Sequence, residues 1–263
     1  MKNKNIIVIK FGGSVFNDPL KRRAFLMDIE IAGENGFMPV IVHGGGKDVS
    51  SWFDKVGIQV KFVNGLRYTD ENSMELVEMV LSGKVNKHIV GELQKTGAKS
   101  VGISGRDADF IIARRKQNFG YVGTIKKVDC GLLNLLLKNQ YVPVVSSICS
   151  DGKGGALNVN ADEAAFAIAA ALRAKKLIFV SDIPGVLKDV NDESSIIKEI
   201  NAGSVAQMVK KGIISGGMVP KLESAKRALG RGVGEVDIVD GRVKGILKKC
   251  LESTKIMGTR LRR

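Results

Sequence analysis

Two apolar runs near the start of the chain each end beside a cluster of glycines. The first run, "IIVIK", ends at Lys10 and is followed by Gly12, Gly13 and Ser14; the second, "PVIVH", ends at His43 and is followed by "GGGKD". Glycines let backbone N–H groups approach a ligand closely, and N–H groups at the start of a helix attract anions. One glycine run more often only turns the chain, but two such clusters favour an anion-binding site.

Polar residues also mark three later segments. "LNVNADEAAFAIAAAL" has Asn158, Asn160 and Asp162 at the start of an alanine-rich helix, more polar side chains than one helix cap requires. "FVSDIPGVL" ends a predicted strand at Asp182, where an Asx-turn is the simpler interpretation. Lys221 lies in the first turn of a predicted helix, where the helix dipole disfavours a cation, and this placement indicates an anion nearby.

The residue inventory favours a reaction that needs no general base. The sequence has two histidines, His43 and His88, and it lacks HExxH, the Gx[S]xG elbow and the GxxxxGK[ST] phosphate loop. A carboxylate is already ionised at neutral pH, so its phosphorylation requires only relief of the repulsion between two anions. Lysines, glycine N–H groups and Mg²⁺ provide that relief. We therefore expect Lys10 to contact a transferring phosphoryl group.

Composition limits the class of protein. A chain of 263 residues with 44% hydrophobic content can bury a core without metals or disulfides. Three widely spaced cysteines without a CxxC pair, no apolar run of about 18 residues, and only "MKNK" before the first strand predict a soluble, cytoplasmic protein. The net charge of +14 is spread along the chain and aromatic content is 5%, which argues against a nucleic-acid partner. The final "GTRLRR" is interpreted as a frayed terminus.

Short apolar runs alternate with longer amphipathic stretches, which predicts an α/β fold: a three-layer αβα sandwich with a mainly parallel central sheet. Strands are predicted at 6–10, 39–43, 99–104, 141–147, 176–182 and 235–240, and helices at 18–34, 47–56, 70–96, 160–173, 203–211 and 221–230. Residues 108–128 are predicted to form a small antiparallel insert. Because ligands of such folds bind at the carboxyl ends of the strands, we expect the polar residues above to converge there.

Six segments, taken in chain order, resemble the amino acid kinase family: "KFGGS", "VIVHGGGKDV", "NGLRYTDENSMELVEMVLSGKVNK", "LNVNADEAAFAIAAAL", "VSDIPGVL" and "GIISGGMVPKLESA". The resemblance runs from Ile6 to about Thr259, and "GLRYT" and "NVNAD" are its most discriminating parts. These two segments resemble those of the family branch whose members use ATP to phosphorylate the γ-carboxylate of N-acetyl-L-glutamate, a step of arginine biosynthesis. The resemblance implies the family fold, with residues 1–174 as an N-terminal lobe for the amino acid and dimerisation, and residues 175–263 as a nucleotide-binding lobe.

The same resemblance implies a role for each matching residue. Lys10 and Lys221 match the lysines that stabilise the transferring phosphoryl group, and Asp162 matches the carboxylate that orients them. Gly12, Gly13 and Gly44 match the phosphate loops. The substrate-binding residues are Gly45, Gly46, Arg67 and Asn158; the nucleotide-binding residues are Asp182, Ile183, Pro184, Gly185, Val186, Leu187, Ile213, Ile214 and Ser215. Mg²⁺ is expected to arrive on ATP rather than in a metal site of the protein.

Several alternatives stay open at the level of sequence. The capped amphipathic helix that follows Asp70 presents an apolar face that suits either the core or a dimer seam. The short start of the chain and the ending "STKIMGTRL" imply an arginine-insensitive homodimer. The positive charge would suit a kinase for aminoadipate or glutamate on an acidic carrier protein, although "GLRYT" and "NVNAD" favour the free acetylated amino acid. A module that binds without turnover is disfavoured, because it would not need both Lys10 and Lys221.

Overall fold

The computed structural model describes residues 5–12, 19–59, 61–63, 66–189, 191–214, 216–252 and 255–263. The chain divides into two compact units. Met1–Pro39 and Ala165–Arg263 form one, here the discontinuous unit, and Val40–Ala164 form the other, the central unit. These bounds differ from the predicted lobes 1–174 and 175–263, because the first strand pairs with a strand that begins at Lys176. The division of amino-acid and nucleotide binding between lobes stays a prediction.

The elements follow the predicted order. The strands are β1 (Ile6–Phe11), β2 (Met38–His43), β3 (Phe62–Val63), β4 (Leu66–Arg67), β5 (Ser100–Gly105), β6 (Ile111–Arg115), β7 (Gly123–Val128), β8 (Val142–Ser150), β9 (Ala156–Asn158), β10 (Lys176–Ser181), β11 (Glu199–Asn201), β12 (Glu235–Asp240) and β13 (Thr259–Arg262). The helices are α1 (Pro19–Glu34), α2 (Gly46–Val56), α3 (Glu71–Glu78), α4 (Asn86–Gln94), α5 (Gly131–Lys138), α6 (Ala161–Ala171), α7 (Val205–Lys210), α8 (Met218–Gly230) and α9 (Ile246–Glu252).

All six predicted strands and all six predicted helices are confirmed, with shifted ends. The helix predicted over 70–96 is three consecutive segments, because a π-helical segment, Met79–Val85, lies between α3 and α4. The helices α5 and α9 were not predicted. No described helix has both the length and the apolar character needed to cross a membrane.

In the discontinuous unit the strands are ordered β11-β13-β12-β10-β1. The pairs β1–β10, β10–β12 and β11–β13 are parallel, and β12–β13 is antiparallel. The apolar residues of β1 and β10 are buried on both faces of the sheet, as their near-continuous Val and Ile content predicts. The sheet therefore holds the carboxyl ends of β1 and β10 side by side.

The prediction that "GTRLRR" is frayed is wrong, since Thr259–Arg262 form β13. Leu261 is fully buried. Arg260 Nε and Nη2 donate to the two carboxylate oxygens of Asp237 at 2.7 and 3.0 Å, and Lys176 Nζ donates to the same carboxylate at 3.1 Å and to the Cys250 carbonyl at 2.8 Å. A buried acidic partner explains an arginine inside a sheet, and that partner is remote in the sequence.

In the central unit β8 is the axis of the sheet. β2, β5 and β6 pair with it in parallel, and β9 pairs antiparallel. β6 and β7 form the predicted antiparallel insert. Both units thus pack helices against mainly parallel strands, and the predicted α/β class is confirmed.

The helix after Asp70 contributes its apolar face to the core of the central unit. Asp70 Oδ1 accepts a hydrogen bond from Ser73 N at 2.8 Å and caps α3. The buried cluster around this helix contains Val49, Phe53, Met74, Leu76, Val77, Val80, Leu81 and Ile148. Of the two interpretations of this face, the structure shows the core.

Candidate active site

A cavity of about 970 Å³ opens in the central unit where β2 and β9 end and α2 begins. Its lining includes five residues with predicted roles: Gly44, Gly45, Gly46, Arg67 and Asn158. These five residues therefore line one cavity, and their roles in binding stay predictions. A cavity of this volume accommodates a small molecule such as an amino-acid derivative.

The glycines form the N-terminus of α2. Gly45 is the N-cap residue, and its carbonyl accepts the first helical hydrogen bond, from Val49 N at 2.9 Å. The first N–H groups of a helix have no partner within the helix, and together with the helix dipole they favour an anion. A Cβ atom on Gly45 would lie 2.7 Å from Leu81 Cδ2 and 3.3 Å from Val85 Cγ2. Glycine at position 45 thus lets this backbone pack directly on the π-helical segment.

Arg67 is held in place on the wall of the cavity. Its Nη2 donates to the Gly46 carbonyl at 3.1 Å and to Ser50 Oγ at 2.7 Å, and its guanidinium carbon lies 5.1 Å from the centroid of the Phe53 ring. Burial lowers the pKa of Arg67, and the neighbouring Asp54 opposes that effect. An arginine stays protonated in proteins, so the cavity contains a fixed, planar cation suited to a carboxylate.

Ser50 and Phe53 support Arg67 and were not predicted. They lie three positions apart on one face of α2, a spacing that a sequence also shows for ordinary core helices. Their role became visible only through contacts with β4.

Asn158 is connected to Arg67 through Thr69. Asn158 Nδ2 donates to Thr69 Oγ1 at 3.3 Å, and Thr69 Oγ1 donates to the Arg67 carbonyl at 3.1 Å. Thr69 is fully buried. These hydrogen bonds connect the Asn158 amide to the backbone carbonyl of Arg67, and both residues line the cavity.

Asn160 is the cap of α6. Its Oδ1 accepts from the backbone N–H groups of Asp162 and Glu163 at 2.8 and 3.3 Å. The expectation that one of the three polar residues is a cap is confirmed. Asn158 lines the cavity from β9 and takes no part in this cap.

In the discontinuous unit the two predicted catalytic lysines lie near one aromatic ring. Lys10 in β1 is the register partner of Phe179 in β10, and register partners project their side chains from the same face of a sheet. Lys221, in the first turns of α8, has its Nζ 5.3 Å from the centroid of the Phe179 ring. An ideal Cβ on Gly12 would lie 3.9 Å from Lys10 Nζ. This placement supports the pairing of the lysines, and their catalytic roles stay predictions.

The predicted nucleotide-binding segment follows β10. Gly185 has φ +149°, and a Cβ atom there would lie 2.7 Å from Thr259 Oγ1; the same hydroxyl accepts from Val186 N at 2.8 Å. Asp182 Oδ1 accepts from Ser181 Oγ at 3.4 Å, Ile214 is buried and Ile213 is exposed. β13 therefore anchors this segment. Its role in binding nucleotide stays a prediction, and the predicted residues Gly13, Ser14 and Ser215 lie outside the described residues.

The two histidines take the places expected of non-catalytic residues. His43 is fully buried and hydrogen bonded, and burial lowers its pKa from 6.5 to about 4. His88 is exposed on α4. A neutral, enclosed His43 is a poor general base, which agrees with a reaction on an already ionised carboxylate.

Residues 5–240 match the family model of the amino acid kinase family. The chain belongs to this family. It is 44% identical over 249 residues to an acetylglutamate kinase of Carboxydothermus hydrogenoformans, covering 90% of this chain and 85% of the relative. It is 43% identical over 255 residues to an acetylglutamate kinase of Prochlorococcus marinus, covering 96% of this chain and 90% of the relative.

Solved structures agree with an amino acid kinase fold. A crystal structure of a protein from Streptococcus mutans is 30% identical, with a TM-score of 0.82, and covers 98% of this chain and 99% of that one. A carbamate kinase from Giardia lamblia bound to AMP-PNP is 14% identical, with a TM-score of 0.73 over the full length of both chains, and supports the fold alone. The resemblance to the amino acid kinase family and the predicted sandwich fold are confirmed.

Proposed function

We propose that the protein transfers the γ-phosphoryl group of ATP to the γ-carboxylate of N-acetyl-L-glutamate, giving an acyl phosphate and ADP. The observation that carries the proposal is the cavity in which Arg67, Asn158 and the N-terminus of α2 converge. Two relatives named acetylglutamate kinase, 43% and 44% identical and aligned over at least 90% of this chain, support the choice of substrate. The reaction is the step of arginine biosynthesis that the resemblance implies.

The substrate has two carboxylates, and the cavity offers two kinds of anion-binding group. Arg67 presents a planar guanidinium for bidentate contact with the α-carboxylate, and Asn158 adds amide hydrogen bonds. The N–H groups at the start of α2 are then left for the γ-carboxylate and the phosphoryl group that it attacks. Separate sites for the two carboxylates orient the nucleophile, which is the main requirement of phosphoryl transfer.

Lys10 and Lys221 would neutralise the negative charge that develops on the transferring phosphoryl group. Asp162 would orient the two lysines, as the family pattern implies. Among the residues that the structure describes, no three His, Cys, Asp or Glu side chains are grouped so as to hold a metal ion. The cavity is lined by Arg67, Lys47 and Lys55 with Asp54 as its acid, a donor set that suits anions. We propose that Mg²⁺ is held by the phosphates of ATP, whose negative charge it offsets.

We further propose that the protein is a cytoplasmic homodimer and is insensitive to arginine, as the spelling of "STKIMGTRL" suggests. Light scattering after gel filtration measures the oligomeric state. Activity measured at rising arginine concentration tests the insensitivity, and inhibition at micromolar arginine would contradict it.

ADP release with hydroxylamine trapping of the acyl phosphate tests the proposed reaction. We expect turnover of N-acetylglutamate and not of glutamate, aspartate or carrier-bound aminoadipate. Replacing Lys10 by alanine should lower kcat by orders of magnitude with a smaller effect on KM, since the group acts mainly in the transition state. Lys138→Ala, at an exposed lysine of α5, is the matched control and should leave both constants unchanged. Turnover of the carrier-bound substrate alone would overturn the proposal.

A further inference from the structure

His43, the last residue of β2, belongs to a buried hydrogen-bond network that reaches the glycines of the cavity. Its Nδ1 lies 2.9 Å from the Gly44 carbonyl oxygen, and its Nε2 lies 3.0 Å from Asn86 Nδ2. Asn86 has no exposed surface and His43 has 1%. A polar pair enclosed to this degree is stable only if its hydrogen bonds are satisfied, so the arrangement of donors is determinate.

The neighbours of Asn86 fix the orientation of its amide. Lys87 Nζ, which only donates, lies 3.1 Å from Oδ1, and the Val144 carbonyl oxygen, which only accepts, lies 2.9 Å from Nδ2. Nδ2 also lies 3.4 Å from the Ile103 carbonyl oxygen, the longest of its three contacts. Its two N–H groups therefore point at the Val144 carbonyl and at His43 Nε2, which accepts. The proton of the neutral imidazole is then on Nδ1, which donates to the Gly44 carbonyl.

The consequence for the cavity comes from peptide geometry. The Gly44 carbonyl and the Gly45 N–H belong to one trans peptide and point in opposite directions. By holding the carbonyl, His43 turns the N–H of Gly45 away from itself, and Gly44 and Gly45 both line the cavity. We propose that His43 and Asn86 are positioning residues, which aim the Gly45 N–H at the anionic groups of the substrate. This inference rests on the proposed function for the identity of those groups.

The π-helical segment Met79–Val85 explains how Asn86 reaches this position. A π-turn adds a residue to a helix and rotates the residues after it, and such turns are frequent at functional sites. Leu81 and Val85 of the segment are the residues that a Cβ on Gly45 would meet, and Asn86 comes directly after it. One segment thus packs on Gly45 and also delivers the donor that sets the tautomer of His43.

Gly102 in β5 leaves the room that Asn86 needs. A Cβ atom at position 102 would lie 1.9 Å from Asn86 Oδ1 and 2.8 Å from Lys87 Nζ, and Lys87 Nζ donates to the Gly102 carbonyl at 2.9 Å. The network therefore depends on β5 as well as on β2. Burial lowers the pKa of His43 to about 4, while Asp48 raises it and Lys87 lowers it further. The imidazole is therefore neutral at neutral pH.

Two substitutions of His43 separate positioning from packing. His43→Asn retains an amide donor where Nδ1 was and should still hold the Gly44 carbonyl, whereas His43→Leu fills the space without a donor. We expect His43→Leu to lower kcat/KM for N-acetylglutamate about 10- to 100-fold. This loss is smaller than that caused by removing an oxyanion-hole donor, because the Gly45 N–H is misdirected but still present. His43→Asn should recover most of that loss. His88→Asn, the same change at the exposed histidine, should have no effect; equal impairment of both His43 variants, or no impairment, would overturn the proposal.

A spectroscopic measurement tests the same inference without catalysis or substitution. The chain has two histidines, so long-range ¹H–¹⁵N spectra of the imidazoles resolve His43 from His88. We expect His43 to show a protonated Nδ1 and an unprotonated Nε2, and the Gly45 amide signal to shift when N-acetylglutamate is added. A protonated Nε2 in an active enzyme would refute the positioning role alone. The predicted tautomer in a protein that does not phosphorylate N-acetylglutamate would instead refute only the proposed function.

Discussion

Breaking the buried ion pair of β13 is expected to cause a large loss of stability. Arg260 makes two hydrogen bonds to Asp237, at 2.7 and 3.0 Å, and the two side chains are 6% and 3% exposed. Arg260→Ala leaves Asp237 buried with Lys176 as its remaining close cation. Removing one partner of a buried pair costs about 3–5 kcal/mol when the remaining charge loses all compensation. Because Lys176 still pairs with Asp237, the loss for Arg260→Ala should lie at the lower end, at about 3 kcal/mol.

Arg262, two residues further along the same strand, is the matched control. It pairs with Glu199 at 3.1 Å and Glu235 at 2.9 Å, but its side chain is 47% exposed. Exposed pairs contribute roughly 0–1 kcal/mol, because water and salt screen the charges. Arg262→Ala should therefore change the stability little.

Thermal unfolding followed by circular dichroism measures the difference between the two variants. At about 2–4 °C per kcal/mol for chains near this length, Arg260→Ala should lower Tm by roughly 6–12 °C. Arg262→Ala should lower it by no more than about 4 °C on the same scale. Equal shifts for the two variants would show that the tail is not anchored through Asp237, and the reasoning would fail.

Three further predictions concern the cavity. Arg67→Lys should raise KM for N-acetylglutamate by about 10-fold or more with a smaller change in kcat, because an ammonium cannot make the bidentate contact; unchanged KM in steady-state assays would contradict this. Gly45→Ala should lower the free energy of unfolding by about 1–3 kcal/mol through overlap with Leu81, whereas Gly46→Ala, whose Cβ meets nothing within 4 Å, should not; urea titration compares the two. His43 is neutral when folded, so its contribution to stability is complete above its ordinary pKa and is lost as pH falls from 6.5 towards 4. The change amounts to about 3 kcal/mol, and His43→Asn should show a shallower acid loss in urea titrations across that range.

The sequence predicts the elements of this fold well where one period dominates. Apolar runs rich in Val and Ile in β1, β8 and β10 indicate strands covered on both faces, and all three strands are present. The ends of elements are less predictable, because they depend on contacts. β13 was missed since its two arginines resemble solvated charge, and only the remote Asp237 makes one of them a core residue.

The residues of the candidate site were likewise predicted only in part. The glycine run of Gly44, Gly45 and Gly46 stands out in the sequence itself, whereas the roles of Arg67 and Asn158 were implied by the family resemblance, and all five line one cavity. Ser50, Phe53 and Asn86 were not predicted, because each acts by contact with a residue distant in the sequence. The π-helical segment was also beyond prediction, since its residues continue an ordinary amphipathic pattern.

The pairing of β1 with β10 has a consequence for how the chain acquires its structure during synthesis. Ile7 pairs with Lys176, so β10, one of the two neighbours of the first strand, is synthesised long after it, whereas β2 on the other side follows soon. Val40–Ala164 are continuous and have their own strands and core, so they can fold while translation proceeds. The edge of the N-terminal strand that β10 covers stays open until the later residues arrive, and an open apolar strand edge promotes aggregation.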